Sequence, residues 1–166
     1  MDTIRELVIK DFMARAAKIT VDNGYNTNIG ETISGTKEIV RARIKIDPDE
    51  LPATVIWPLP EKAVAEYGQL NCTMSMRVEG IAHFGAVNPS VVAEMILGDL
   101  KKCFLAPENL LTSPHAGWSR SPDYIDGIIY TGGGTDDYPE ADKKTIGAFA
   151  TFDVTYHTKL DDPYSQ

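Results

Sequence analysis

Thr145-Ile146-Gly147-Ala148-Phe149-Ala150-Thr151-Phe152-Asp153-Val154-Thr155-Tyr156-His157-Thr158 is the stretch that decides how this chain folds. Its even positions are Ile146, Ala148, Ala150, Phe152, Val154 and Tyr156; its odd positions are Gly147, Phe149, Thr151, Asp153, Thr155 and His157. Side chains alternate across a strand, so the pattern specifies a long β-strand with one apolar and one mostly polar face. Leu70 to Phe84 has the same design. Leu70, Cys72, Met74, Met76, Val78, Ala82 and Phe84 fall on one side, interrupted by Gly80. Asn71, Thr73, Ser75, Arg77, Glu79 and His83 fall on the other, together with Ile81. At about 3.3 Å per residue each strand spans roughly 46 Å, long for a small domain. Two such strands predict an antiparallel sheet with one covered and one open face.

Outward from these strands, Thr3 to Ile19 reads as a helix. Thr3-x-x-Glu6 is a capping-box pattern, and Ile4, Leu7, Val8, Phe12, Ala16 and Ile19 form an apolar stripe. Lys10, Arg15 and Lys18 are expected outside it. A turn-rich connector, 21–30, follows. From Glu38 to Ile46 alternation returns, with Val40, Ala42, Ile44 and Ile46 on one face and Lys37, Arg41, Arg43 and Lys45 on the other. Such a cationic face either protects an edge strand or meets an acidic partner or phosphates. Ala53 to Trp57 reads as a short strand ended by Pro58 and Pro60, and 61–69 as a weakly helical link. Asn88-Pro89 opens a second helix reaching Phe104, with Val92, Met95, Ile96, Leu100, Cys103 and Phe104 on its buried side. Residues 105–123 read as a long loop, Tyr124 to Thr131 as a strand, 132–144 as a flexible acidic hairpin loop, and 159–166 as a polar tail. The expectation is one α+β domain over residues 1–166: an antiparallel sheet with two helices packed on one face.

The composition is that of an ordinary globular protein, and the net charge of −8 opposes a dedicated nucleic-acid binder or an anionic membrane partner. The charged N-terminus is no signal peptide and no apolar run reaches membrane-spanning length, which points to a cytoplasmic protein. Cys72 and Cys103 each occupy an apolar face and are expected to be buried thiols. Gly132-Gly133-Gly134 lacks a GK[ST] ending and leads into Asp136 and Asp137, which repel phosphate. His83, His115 and His157 lack metal-ligand spacing, although His83 and His157, both on polar strand faces, are expected to be neighbours if those strands pair. The acidic loop lacks the DxDxDG pattern of a calcium site, and Ser113, Ser119 and Ser121 near His115 lack a nucleophile elbow. No catalytic, cofactor or metal residue is therefore assigned. The open sheet face, with Phe149 among small residues, the basic strand (Lys37, Arg41, Arg43, Lys45) and the acidic loop (Asp136, Asp137) suit head-to-tail self-association.

Several short stretches carry a resemblance: Gly24-Tyr25-Asn26-Thr27-Asn28-Ile29-Gly30, Leu51-Pro52-Ala53, Met76-Arg77-Val78-Glu79-Gly80, Leu97-Gly98-Asp99-Leu100, and Val154-Thr155-Tyr156-His157-Thr158 followed by Asp162-Pro163. With the N-terminal helix, they resemble the tail-terminator proteins of long-tailed phages and their prophage relatives, the minor tail protein U group. The segments 105–123 and 132–142 make this chain longer than a minimal member. The resemblance implies a hexameric ring that caps the tail tube, contacts the head–tail connector and lets DNA pass, located in the host cytoplasm and the virion tail. It supplies no catalytic residue. The alternatives are a neck or tail-completion protein, a small cytoplasmic enzyme using His115, Trp118 and Arg120 together with His83 and His157, or a chromosomal binding module with no phage role.

Overall fold

The computed structural model describes residues 2–30, 40–41, 51–105, 124–135 and 144–166. The order of elements is α1 (Ile4–Ala16), a single 3-10 turn (Val21–Asn23), β1 (Val40–Arg41), β2 (Ala53–Glu66), β3 (Gln69–His83), α2 (Pro89–Leu105), β4 (Gly127–Thr135) and β5 (Thr145–Lys159). The sheet runs β1-β2-β3-β5-β4. Its four longer strands are antiparallel neighbours, and β1 joins β2 in parallel through Val40 and Arg41. The fold is α+β, with both helices packed against the sheet.

The two long strands pair with each other along their whole length, from Gln69↔Lys159 to His83↔Thr145. Their apolar alternations therefore coincide on one face. Cys72, Met74, Met76, Val78, Ala148, Ala150, Phe152, Val154 and Tyr156 are all buried there beneath the helices. Phe152 is the centre of an aromatic cluster: Phe104, Tyr130 and Phe12 lie 5.2, 5.8 and 6.3 Å from it, centroid to centroid. Phe12 of α1 stacks on Phe104 of α2 at 4.7 Å, so the cluster joins both helices to the sheet.

The α1 cap is half of the expected capping box. Thr3 Oγ1 accepts from the Glu6 N–H at 3.2 Å, but the Glu6 carboxylate turns away to Arg41. Arg15, expected outside the stripe, is buried and pairs with Asp11 at 2.8 Å. Burial raises the Asp11 carboxyl above its ordinary pKa and lowers that of Arg15, each against the pull of its partner. In α2, Met95 is exposed while Ala93, Leu97 and Asp99 are buried, so the covered stripe is rotated from the expected one.

Two further expectations are corrected. Pro58 and Pro60 do not end β2, because a register shift between Pro58 and Glu61 absorbs them and pairing with β3 resumes. The segment 61–69 is thus strand and turn, not helix. Residues Gly132 to Thr135 are strand as well, paired with β5 beyond a second irregularity at Tyr130/Gly132. A Cβ on Gly133 would lie 2.5 Å from the Phe149 carbonyl oxygen and 3.1 Å from Leu97 Cδ1, so glycine lets α2 settle on this strand. The tail is bound rather than loose: the Ile4 N–H donates to the Pro163 carbonyl at 3.0 Å, and Ser165 Oγ donates to Asp162 at 2.7 Å.

Candidate functional site

The face of the sheet away from the helices bears the odd-numbered residues of β3 and β5, which are half-buried along most of its length. Opposed residues point the same way, so Glu79 and Phe149, Arg77 and Thr151, and Ser75 and Asp153 form cross-strand pairs on it. The Arg77 guanidinium lies 3.9 Å from the Phe149 ring centroid, with Nε 2.5 Å from Glu79. Phe149 is therefore no isolated apolar spot: a cation rests on its face and the paired Gly134 leaves room beside it. Farther along, Ser75 Oγ donates to Asp153 at 2.6 Å, and His157 Nδ1 lies 2.9 Å from Asp126.

Of the residues singled out in the sequence, Arg41 lies on β1 and Phe149 on β5, with β2 and β3 between them. Arg41 is exposed on β1 and bonds both Glu6 carboxylate oxygens at 2.9 Å, so its charge is partly answered within the chain. Lys37, Arg43, Lys45, Asp136 and Asp137 lie outside the described residues, as do His115, Trp118 and Arg120. His83 and His157 are not neighbours. Their strands pair, but in a register that sets His83 opposite Thr145 and His157 opposite Asn71, at opposite ends of the sheet roughly 40 Å apart. Among the described residues, no three His, Cys, Asp or Glu side chains are arranged to hold a metal ion. Among the same residues, no helix is long and apolar enough to cross a membrane. Cys72 and Cys103 are free and buried, and burial pushes the Cys103 thiol up to about 12.

Two features escaped the sequence reading. The first is Asp99, fully buried in α2, which joins the helix to the 26–27 turn. It accepts from the Asn26 and Thr27 N–H groups at 3.0 and 2.8 Å, from Asn26 Nδ2 at 3.0 Å and from Thr27 Oγ1 at 2.7 Å. Its spacing supplied a signal, since Asp99 lies three residues after Ile96 and four before Cys103, on their face of the helix. The second is a hairpin arm. From Lys62 to Gln69 every residue is exposed, so this end of the β2–β3 hairpin is not covered by the helices, while its β3 side stays paired with β5 out to Gln69. Tyr67 and Gly68 form its two-residue turn, with φ of 49° and 82°. Tyr67 is 98% exposed and holds a left-handed conformation that costs a non-glycine residue about 1 kcal/mol. Asn or Gly adopts such a turn position more easily than tyrosine. At the opposite edge, β4 carries neither charge nor proline, and Ile129 is 61% exposed.

Compared with known proteins, the chain matches no family model, and no curated protein matches it significantly.

Proposed function

We propose that this chain is a structural subunit of a phage or prophage tail, a terminator that assembles as a ring on the finished tail tube and meets the head–tail connector. The observation that carries the reading is the surface of the sheet: a half-buried face away from the helices, a β4 strand without charge and an exposed hairpin end at Tyr67. Surfaces of this kind suit contact with further protein copies. The resembling stretches also belong to one frame. Gly24–Gly30 and Leu97–Leu100 are joined through Asp99, and Met76–Gly80 pairs with Ala148–Phe152 of β5, the strand that also carries Val154–Thr158. The basic residues Lys37, Arg41, Arg43 and Lys45, with Asp136, Asp137 and Phe149, are the proposed interface. DNA would pass through the ring without base-specific contact.

The test is solution mass by light scattering across a concentration series, followed by co-sedimentation with purified tail tubes. A hexamer, or a monomer–hexamer equilibrium, with tube binding is expected. Arg41→Glu combined with Arg43→Glu is expected to leave folding intact and weaken assembly; Arg41 is exposed, and exposed substitutions rarely unfold a domain. A monomer at every concentration that also ignores tail tubes refutes the proposal.

A further inference from the structure

We propose that the hairpin arm is a self-recognition edge, which pairs with the same segment of a second copy of this chain about a two-fold axis at Val64. The proposal is independent of the tail role. A two-fold contact cannot by itself close a six-membered ring, and the arm geometry stands whatever the assembly does.

In a two-residue turn the flanking pair, here Glu66↔Gln69, is the hydrogen-bonded one. In an antiparallel strand the N–H and C=O of one residue point to the same side, and successive residues alternate. Glu66, Val64 and Lys62 therefore direct their main-chain groups to β3, while Ala65 and Ala63 direct theirs to the outer edge. Among the described residues only Val55 and Ile56 of β2 have a strand partner on that side, and none of those residues pairs with the outward main-chain groups of Ala63 and Ala65.

An antiparallel copy centred on Val64 satisfies all of them. Ala63 meets Ala65 of the second copy and Ala65 meets Ala63, each exchanging two hydrogen bonds. Val64 then faces Val64 as a non-hydrogen-bonded pair, which is the closer of the two pair types. The side chains agree with this register. Lys62, Val64 and Glu66 share the open face, opposite Thr73, Asn71 and Gln69. Across the axis Lys62 falls opposite Glu66 and Glu66 opposite Lys62, two complementary pairs, while the 65% exposed Val64 side chains cover each other. Shifting the register by one residue turns the side chains to the wrong face and breaks the charge match. Pro60, which has no N–H to offer, lies just beyond the paired segment and marks its end. The charge order Lys-x-Val-x-Glu is thus self-complementary, which favours a second copy over a foreign strand.

Few residues are paired, so the dimer is weak and concentration-dependent. Cross-linking reads it directly. Non-hydrogen-bonded antiparallel pairs have Cα atoms about 4.5 Å apart, within disulfide reach. The full chain carrying Val64→Cys, mildly oxidised, is expected to give a covalent dimer, since both native thiols are buried. Tyr67→Cys, more exposed but not facing itself across the axis, is expected to cross-link at least tenfold more slowly. Equal rates for the two variants, or no dimer from Val64→Cys, overturns the proposal. Charge exchange supplies a second readout in the otherwise unaltered chain. Lys62→Glu and Glu66→Lys each place like charges across the axis and are expected to weaken self-association about tenfold. Mixing these two variants restores opposite charges at both pairs, so a heterodimer of wild-type strength is expected. A mixture no stronger than either variant alone refutes the register.

Discussion

Asp99→Ala tests whether the connector and α2 are held as the structure indicates. The substitution removes a fully buried carboxylate together with its bonds to the Asn26 and Thr27 N–H groups, the Asn26 amide and the Thr27 hydroxyl. Each donor left without an acceptor costs about 1–3 kcal/mol if water cannot reach it. Asn26 is exposed and recovers its bonds from solvent, whereas Thr27 is half-buried and recovers them partly. The expected loss is therefore about 3 kcal/mol, a large share of the stability of an ordinary domain, roughly 5–15 kcal/mol. For a chain of this length that lowers Tm by about 6–12 °C. Urea unfolding followed by circular dichroism measures the loss, provided the m-value is unchanged. Thr27→Val and the double variant complete a cycle. Because the Thr27 hydroxyl bond at 2.7 Å is lost only once, the two single losses must exceed the double. Simple additivity, or a loss below about 0.5 kcal/mol for Asp99→Ala, would refute the reasoning.

Gly133→Ala should lose about 1–3 kcal/mol in urea titration, because its Cβ meets the Phe149 carbonyl oxygen at 2.5 Å. Gly132→Ala, with nothing within 4 Å, should be neutral or slightly stabilising. Tyr67→Asn should raise stability by about 1 kcal/mol by relieving the left-handed turn position, and an unchanged midpoint would contradict that account. Alkaline pH should destabilise the fold through Cys103, whose pKa rises from 9.0 unfolded to about 12 folded. The folded state then holds the proton that the unfolded chain releases, so stability is retained below pH 9 and falls by about 1.4 kcal/mol per unit as pH rises toward 12. Burial raises the phenols of Tyr25 and Tyr156 as well, and these add to the slope above pH 10. Cys103→Ala should flatten the profile between pH 9 and 10, as read from urea midpoints.

Edge strands and arms bear on function because an unpaired ladder is costly to leave bare unless something covers it or charge guards it. Here the two edges differ. The arm carries Lys62 and Glu66, which repel strangers yet match a second copy. The β4 strand, Gly127–Thr135, carries no charged residue. The open face between them holds Phe149 beneath Arg77, a contact that keeps an aromatic ring available but shielded.

The alternation of Thr145–Thr158 and of Leu70–Phe84 determined by itself that this chain builds two long strands with one buried face. Period-2 burial is a local property, and every apolar position of β5 named from the sequence is buried. The Thr3 cap and the Asn88 start of α2 were legible for the same reason, since a cap needs only its own next turn: Asn88 Oδ1 accepts from the Ser90 N–H at 2.9 Å. What required neighbours was not legible. Pro58 and Pro60 oppose a strand locally, yet long pairing with β3 and one bulge override them. The glycines at 132–134 oppose a strand too, until α2 needs close approach. Arg15 and Asp99 look like surface residues until partners 4 and more than 70 positions away take up their charge. The register that parts His83 from His157, the left-handed turn at Tyr67 and the exposed edge of the arm belong to the folded sheet alone. Which backbone groups remain unpaired depends on the strands that do or do not arrive beside them, and a sequence pattern read one strand at a time carries no record of that.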